Sequence, residues 1–307
     1  MDLQRTIEES KDAQASDIIR LIEETIQSIA HEHGTIGNLT INGKLVTLAP
    51  VGHALIIGDL HGNLESFSAI FESSQYLTKL VQDKNRTVVF LGDYGDRGAQ
   101  SPELYYCLMH MKLAFPKQIV LLRGNHEGPS NLLPFPHDLP LHLQQKFKDQ
   151  WASTYAKLRC LFDCLYNAVY VEERYLMLHG GLPATLRSLQ EIAQAGKLHP
   201  NSPFLEEILW NDPDEQVEGA APSPRGAGNL FGKTTTQKIL DNLNAKILIR
   251  GHEVAYEGFK INHGGKILTL TSFKGLPYFN KSGAYLDLPL TDKFEKAQQL
   301  IPYLHKI

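Results

Sequence analysis

The sequence predicts an α/β fold: central β-sheets flanked by helices, preceded by one N-terminal helix and a β-hairpin. Three observations carry that prediction. Apolar runs at Ala54–Ile57, Val88–Leu91 and Ile119–Leu122 each end in a cluster of Gly, Asp, Asn or His, as strands ending in turns do. Helical periodicity fills the intervals, as in Leu64–Phe71 and Pro102–Met111, so this stretch reads βαβαβ. The second half returns to strand-like runs at Ala168–Val171, Leu176–Leu178, Ile247–Ile249, Phe259–Ile261, Ile267–Leu270 and Ala284–Leu288.

Taken in order, Ile18, Ile22, Ile26 and Ile29 stand at helical spacing between Ser16 and His31, with Ser16 as the expected cap. In LTINGKLVTL, Asn42-Gly43 between two β-prone runs signals a hairpin, because both residues accept the left-handed backbone of a tight turn. Residues 1–50 are therefore expected to be an extension packed on one catalytic domain, residues 51–307. After Glu127, GPSNLLPFPHDLPLH is rich in Pro and reads as a surface loop, followed by one long helix from Leu143 to Leu165. The segment DPDEQVEGAAPSPRGAGN reads as a loop that orders only when needed.

Composition narrows the function classes. With 30 Lys+Arg against 34 Asp+Glu the net charge is -4, so no global basic field recruits nucleic acid or an anionic membrane. No apolar stretch reaches the roughly 18 residues of a membrane span, and the polar start MDLQRTIEESKD does not resemble a signal peptide. A soluble cytoplasmic protein is expected. Cys107, Cys160 and Cys164 form no CxxC pair, and their odd number argues against a disulfide framework; Cys160 and Cys164 are expected one helical turn apart in the core.

Chemistry gathers at the strand ends. GDLHGN carries Asp59 and His61, GDYGDRG carries Asp93, Asp96 and Arg97, and RGNHE carries Asn125 and His126. Asp93 follows Asp59 by 34 positions and Asn125 follows Asp93 by 32, close to the length of one βαβ unit. All three clusters are thus expected at the carboxyl edge of neighbouring parallel strands, where open α/β sheets bind ligands. LHGGL and RGHE add His179 and His252 behind later apolar runs. Any one of these is most often a plain turn. Five together offer carboxylate, amide and imidazole ligands, which suit Mn, Fe or Zn, and a shared Asp can bridge two ions about 3.5–4 Å apart. Metal-assisted hydrolysis is the implied reaction.

These motifs resemble the PPP family of serine/threonine protein phosphatases, whose signature runs GDxHG, GDxVDRG and GNHE, followed by HGG and a later RxH. The resemblance extends from about Leu55 to Leu288 and includes ILWNDP, PRGAGNLFG and ILIRGHEVAYEGFKI. It implies a calcineurin-like metallophosphoesterase fold of the α+β sandwich type and two divalent ions, Mn²⁺ foremost, with Fe or Zn as alternatives. Asp59, His61 and Asp93 would hold the first ion, Asp93 would bridge, and Asn125, His179 and His252 would complete the second. His126 would be the general acid, oriented and kept charged by Asp96. Arg97, Arg225, Asn125 and Tyr278 would bind the substrate phosphate. A water activated between the ions, not Cys or Ser, would attack phosphorus; none of the three cysteines is followed by Arg six positions later, so the cysteine-phosphatase loop is absent.

The implied substrate is a phosphorylated protein at serine or threonine, with phosphotyrosine or a dinucleoside polyphosphate as alternatives, and a partner-binding protein of low turnover as the rival outside enzymes. A regulatory or targeting partner is compatible with the family. Gly95 stands where the family has Val, which is expected to loosen the turn; the segment after GNHE and TSFKGLPYFN near Tyr278 also depart from the pattern. These departures place the chain with a bacterial branch or a bacterial effector acting in a host cell. Elsewhere, His31, His33, His110, His137, His142, His199, His263 and His305 read as surface or packing residues, and Tyr105 and Tyr106 as packing. Glu127 and Glu253 are equally readable as partners behind the ligands or as surface charges, and Arg123 and Arg250 as braces for their loops.

Overall fold

A computed structural model describes all 307 residues. Two helices open the chain, α1 (Leu3–Asp12) and α2 (Ala15–Ala30), and three strands follow, β1 (Gly34–Ile36), β2 (Leu39–Asn42) and β3 (Leu45–Leu48). Next come β4 (His53–Ile57), α3 (Leu64–Ser74), α4 (Tyr76–Gln82), β5 (Arg86–Phe90), α5 (Ser101–Ala114) and β6 (Ile119–Leu121). After an irregular stretch, α6 (Leu139–Phe147) and α7 (Trp151–Cys164) lead to β7 (Ala168–Val171) and β8 (Tyr175–Leu178). The chain continues through α8 (Leu189–Leu198), α9 (Phe204–Trp210), β9 (Asp212–Pro213), β10 (Ala220–Pro222), β11 (Asn229–Phe231) and α10 (Lys233–Asn242). It closes with β12 (Ile247–Arg250), β13 (Phe259–Asn262), β14 (Ile267–Leu270), β15 (Ala284–Pro289) and β16 (Leu304–Lys306). No helix is long and apolar enough to cross a membrane.

Two sheets form the centre. One has eight strands in the order β1-β2-β3-β7-β8-β12-β14-β13, the other five in the order β16-β15-β4-β5-β6. In the second sheet β4, β5 and β6 are parallel neighbours, as the βαβαβ reading requires. In the first, alternate residues of each central strand serve two cores. Val169, Val171 and Met177 join the large core shared with the five-stranded sheet, while Ala168, Tyr170 and Leu176 face a smaller core under α8, α9 and α10. Burial on both faces is why these strands read as continuous apolar runs.

The N-terminal hairpin belongs to the larger sheet, since β3 pairs in parallel with β7, Leu45 opposite Ala168. Helix α2 packs on α7 and α5 through Ile18, Leu21, Ile22 and Ile29.

Several expectations change. Helix α1 is additional, and α2 is capped by Gln14 with Asp17 rather than by Ser16. The long helix predicted from Leu143 to Leu165 is two, broken where Lys148 takes φ +49°, and the first of them starts inside the expected loop, at Leu139. The segment expected to order only when needed holds β9, β10 and the start of β11, which pair as a small third sheet. Cys160 is exposed and Cys164 partly so, because α7 lies at the surface and turns that face outward; only Cys107 is in the core.

Candidate active site

The clusters converge where the carboxyl ends of strands from both sheets meet. Asp59 and His61 follow β4, Asp93 follows β5 and Asn125 and His126 follow β6, all from the five-stranded sheet; His179 follows β8 and His252 follows β12, from the eight-stranded one. His61, Asp93, Asn125, His126 and His252 line the bottom of a cleft of about 760 Å³ whose wall includes Arg97, Arg225, Trp210, Phe135 and Tyr278, with Asp59 and His179 buried among them. His61, Asp93, Asp96, Arg97 and His252 all have left-handed backbone, φ between +44° and +71°. Such conformations cost of order 1–3 kcal/mol each and persist only where surrounding structure enforces them.

Asp93 is the hub. Its Oδ1 accepts from the His126 backbone N–H at 3.0 Å and lies 3.3 Å from His179 Nε2, while Oδ2 lies 3.7 Å from His61 Nε2. Two triads of potential metal donors therefore share it: His61–Asp93–His126 and Asp93–His179–His252. The imidazoles are aimed by main-chain carbonyls. His61 Nδ1 donates to Gly95 O and His179 Nδ1 to Leu91 O, both at 3.0 Å, which leaves each Nε2 lone pair pointing inward. Asp59 accepts from His252 N–H at 2.9 and 3.1 Å and approaches His61 Nε2 to 3.9 Å.

This donor set fits divalent cations. The Asn125 amide lies 2.9 Å from ring nitrogens of both His179 and His252; with its oxygen inward it faces only acceptors, an arrangement that a cation among them resolves. The electrostatics point the same way. Burial and the adjacent Asp93 charge push Asp59 up to about 7, and burial pushes His61 down to about 4 and His252 well below the usual imidazole range. Burial opposes charge at Asp93 too, yet the neighbouring His179 and His126 hold it well below the usual carboxylate range. Crowded carboxylates beside two imidazoles that burial keeps uncharged, His61 and His252, suit a metal centre, while the Asp93 charge, acting against burial, raises His179.

Beside this cluster, His126 Nδ1 donates to Asp96 Oδ2 at 2.6 Å. Burial alone would discharge the His126 ring, but the Asp93 charge and the Asp96 bond raise it above its ordinary value. Arg225 Nε donates to Asp212 Oδ2 at 2.6 Å. Arg97 is held on the opposite wall, its Nε donating to the Tyr278 hydroxyl at 3.0 Å and its Nη1 to Pro136 O at 2.6 Å. Tyr278 thus stands beside Arg97 although its loop departs from the family pattern.

Three features escaped the sequence reading, and Glu127, readable there either as a partner behind the ligands or as a surface charge, resolves to the partner. Glu127 is fully buried and accepts from the N–H groups of Asp93, Tyr94 and Gly124 and from the Tyr105 hydroxyl, tying the GDYGDRG turn to the GNHE turn. Tyr105 also removes the looseness expected at Gly95: a Cβ there would meet the Tyr105 ring at 2.9 Å, so the glycine makes room for the tyrosine. Asp212 had no assigned role, although the quoted ILWNDP block contains it; it bonds both Arg225 and the fully buried Arg250. His137, read as surface or packing, instead donates from Nδ1 to Asp96 at 2.7 Å. Arg123 and Arg250 brace their loops, Arg123 through Glu127 O and Arg250 through Asn211 O and Glu253.

Residues 52–256 match the family model described as calcineurin-like phosphoesterase. The chain belongs to that family. Among relatives, the phosphoesterase is 34% identical over 242 residues to the serine/threonine-protein phosphatase 6 catalytic subunit of Caenorhabditis elegans, covering 77% of this chain and 69% of that one, which places it among the PPP phosphatases. It is also 34% identical over 241 residues to a probable serine/threonine-protein phosphatase of Encephalitozoon cuniculi, covering 77% of this chain but 50%, half the length, of that relative. A solved serine/threonine phosphatase from Saccharomyces cerevisiae, similar to human PP5, shares the fold with a TM-score of 0.75 at 22% identity, over 94% of this chain and 89% of that one.

Proposed function

We propose that this phosphoesterase is a metal-dependent protein phosphatase that hydrolyses phosphoserine and phosphothreonine monoesters. The observation that carries the reading is the pairing of His126 with Asp96 beside a cluster of donors that share Asp93. The resemblance to serine/threonine phosphatases supports the substrate class. Asp59, His61 and Asp93 would hold one divalent ion and Asn125, His179 and His252 the other, with Asp93 common to both; Mn²⁺ is the first choice and Fe or Zn the alternatives. Bound there, the ions would neutralise phosphoryl charge and lower the pKa of the attacking water.

His126 belongs to one of the geometric donor triads, yet its Nδ1 proton is committed to Asp96. That leaves Nε2, facing the cleft, as the proton donor. As the phosphorus–oxygen bond breaks, the electron pair goes to the departing serine or threonine oxygen, which takes the Nε2 proton; Asp96 holds the ring in register. Arg97 and Arg225 meet phosphate oxygens with planar forks, Arg225 steadied by Asp212, while Tyr278 and Asn125 complete the phosphate contacts. Residues 1–50 act as a packed extension of the catalytic domain, a reading supported by the β3–β7 pairing and by Lys146 Nζ donating to the α1 carbonyls of Ser10 and Lys11.

The test is a side-by-side assay on phosphoserine, phosphothreonine and phosphotyrosine peptides and on diadenosine tetraphosphate. Each is run after EDTA treatment and again after adding Mn²⁺, Fe²⁺ or Zn²⁺. Activity on the first two, abolished by EDTA and restored most by Mn²⁺, is expected. Full activity in a demetallated sample, or preference for the dinucleotide, would overturn the proposal.

A further inference from the structure

We propose that His137 is a positioning residue for the His126–Asp96 pair, so that the loop between β6 and α6 acts on proton transfer; the proposal rests on reading His126 as the proton donor. Asp96 Oδ2 accepts from two imidazoles at once, His126 Nδ1 at 2.6 Å and His137 Nδ1 at 2.7 Å. Its other oxygen accepts from the Leu139 N–H at 2.5 Å. On the far side, His137 Nε2 lies 2.8 Å from the Tyr155 hydroxyl on α7. Since His137 Nδ1 must donate to the carboxylate, its Nε2 in the neutral ring accepts from Tyr155, and the tautomer is set by contacts at both ends.

The result is a continuous chain, Tyr155 to His137 to Asp96 to His126, running from a half-buried helix to the floor of the cleft. Its physical effect follows from how a carboxylate holds a ring. An Asp bonded only to His126 could rotate about its terminal bond and let the imidazole swing. Three donors arriving at both oxygens fix the carboxylate plane, and with it the direction of His126 Nε2. The same bonds stabilise the anion: burial would raise the Asp96 pKa, but the hydrogen bonds from His126 and His137 hold it well below the usual carboxylate range. His137 and Leu139 both lie in GPSNLLPFPHDLPLH, the segment that departs from the family pattern, so part of the acid's support is supplied by a stretch that also lines the cleft.

The experiment compares His137→Ala, His137→Asn, Tyr155→Phe and His126→Asn in the full-length, metal-loaded protein. For each, kcat and KM are measured on a phosphoserine peptide, whose alkoxide leaves poorly, and on para-nitrophenyl phosphate, whose phenolate leaves well. His137→Ala should lower kcat on the peptide by about 10–100-fold, the range for residues that orient a functional group, with aryl phosphate changed by less than about threefold and KM little altered. His137→Asn should recover most of the loss, because its amide nitrogen takes the place of ring Nδ1 as donor to Asp96. Tyr155→Phe should fall between. Metal content and thermal unfolding midpoints should stay near wild type in the Asn variant.

Equal losses on both substrates for His137→Ala, an effect confined to KM, or no recovery in a folded His137→Asn would overturn the proposal. His126→Asn separates the two levels. If it slows both substrates alike, the proton-donor reading falls and this inference with it; if it slows the peptide selectively while His137→Ala does not, only the role of His137 falls.

Discussion

At the floor of the cleft Asp93 and Asn125 are 2% exposed, whereas at its mouth Phe135 is 96% and Tyr278 42% exposed. The floor sits on strand ends, and its side chains are aimed by main-chain groups such as Leu91 O and Gly95 O. The mouth is formed by loops 128–138 and 274–280, which lie outside the helices and named strands. The contrast teaches that the buried ligands cannot shift without breaking hydrogen bonds, whereas exposed tips such as Phe135 can vary in the open; the two regions meet at His137, which shares a loop with Phe135 yet bonds Asp96. Substitutions at the buried ligands should therefore harm every substrate, and those at the exposed tips only large ones.

The sharpest break would come at the hub. Asp93→Asn should cut turnover of peptide and aryl phosphate alike by about 10³-fold or more, since losing a shared ligand removes several kcal/mol of charge stabilisation. Elemental analysis should show less than the wild-type metal stoichiometry; a fully loaded but inactive variant would mean Asp93 acts otherwise.

One layer behind the floor, Glu127→Gln keeps the side-chain shape while removing the charge that gathers the Asp93, Tyr94 and Gly124 N–H groups. A loss of about 10–100-fold in metal affinity is expected by calorimetric titration, with equal damage to both substrate classes. Unchanged affinity would show that the loop closure needs only an acceptor.

At the mouth, Phe135→Ser should raise KM for phosphopeptides by roughly tenfold at most, the worth of one partly buried aromatic contact, and leave para-nitrophenyl phosphate untouched. Parallel loss on both would erase the distinction between floor and mouth. Smallest of all, Cys160→Ser and Cys164→Ser should leave kinetics within about twofold, because neither thiol approaches the cleft and the proposed attacking group is water. Cys107→Ser should also spare turnover while costing about 1–3 kcal/mol in chemical unfolding, since it puts a hydroxyl into apolar core.

Much of the floor was readable because its code is local. GDLHGN, GDYGDRG, RGNHE, LHGG and RGHE each place a ligand type directly after a buried strand, and strand, turn and ligand lie within about ten residues of one another. The amphipathic face of α2 and the Asn42-Gly43 hairpin were legible for the same reason. The break in the long helix at Lys148 and the outward placement of Cys160 were not, because periodicity reports an element's type better than its ends or its neighbours.

By itself, then, the sequence determined the strand-end clusters, the α/β class and the identity of the candidate ligands, all of which follow from residue type and short-range spacing. Only the tertiary structure decided which of those clusters touch. The His252 N–H reaches Asp59 across 193 positions of chain, and β8 and β12 bring their histidines to the five-stranded sheet from a different sheet altogether. It also turned His137 from a histidine read as surface or packing into a partner of Asp96, and Asp212 into the brace of Arg225 and Arg250. Hydrogen-bond partners of this kind carry no periodic signature, since a buried carboxylate takes whichever donors the packed cores deliver to it; that choice is made by how two sheets and their helices bury apolar surface together, not by any stretch of residues alone.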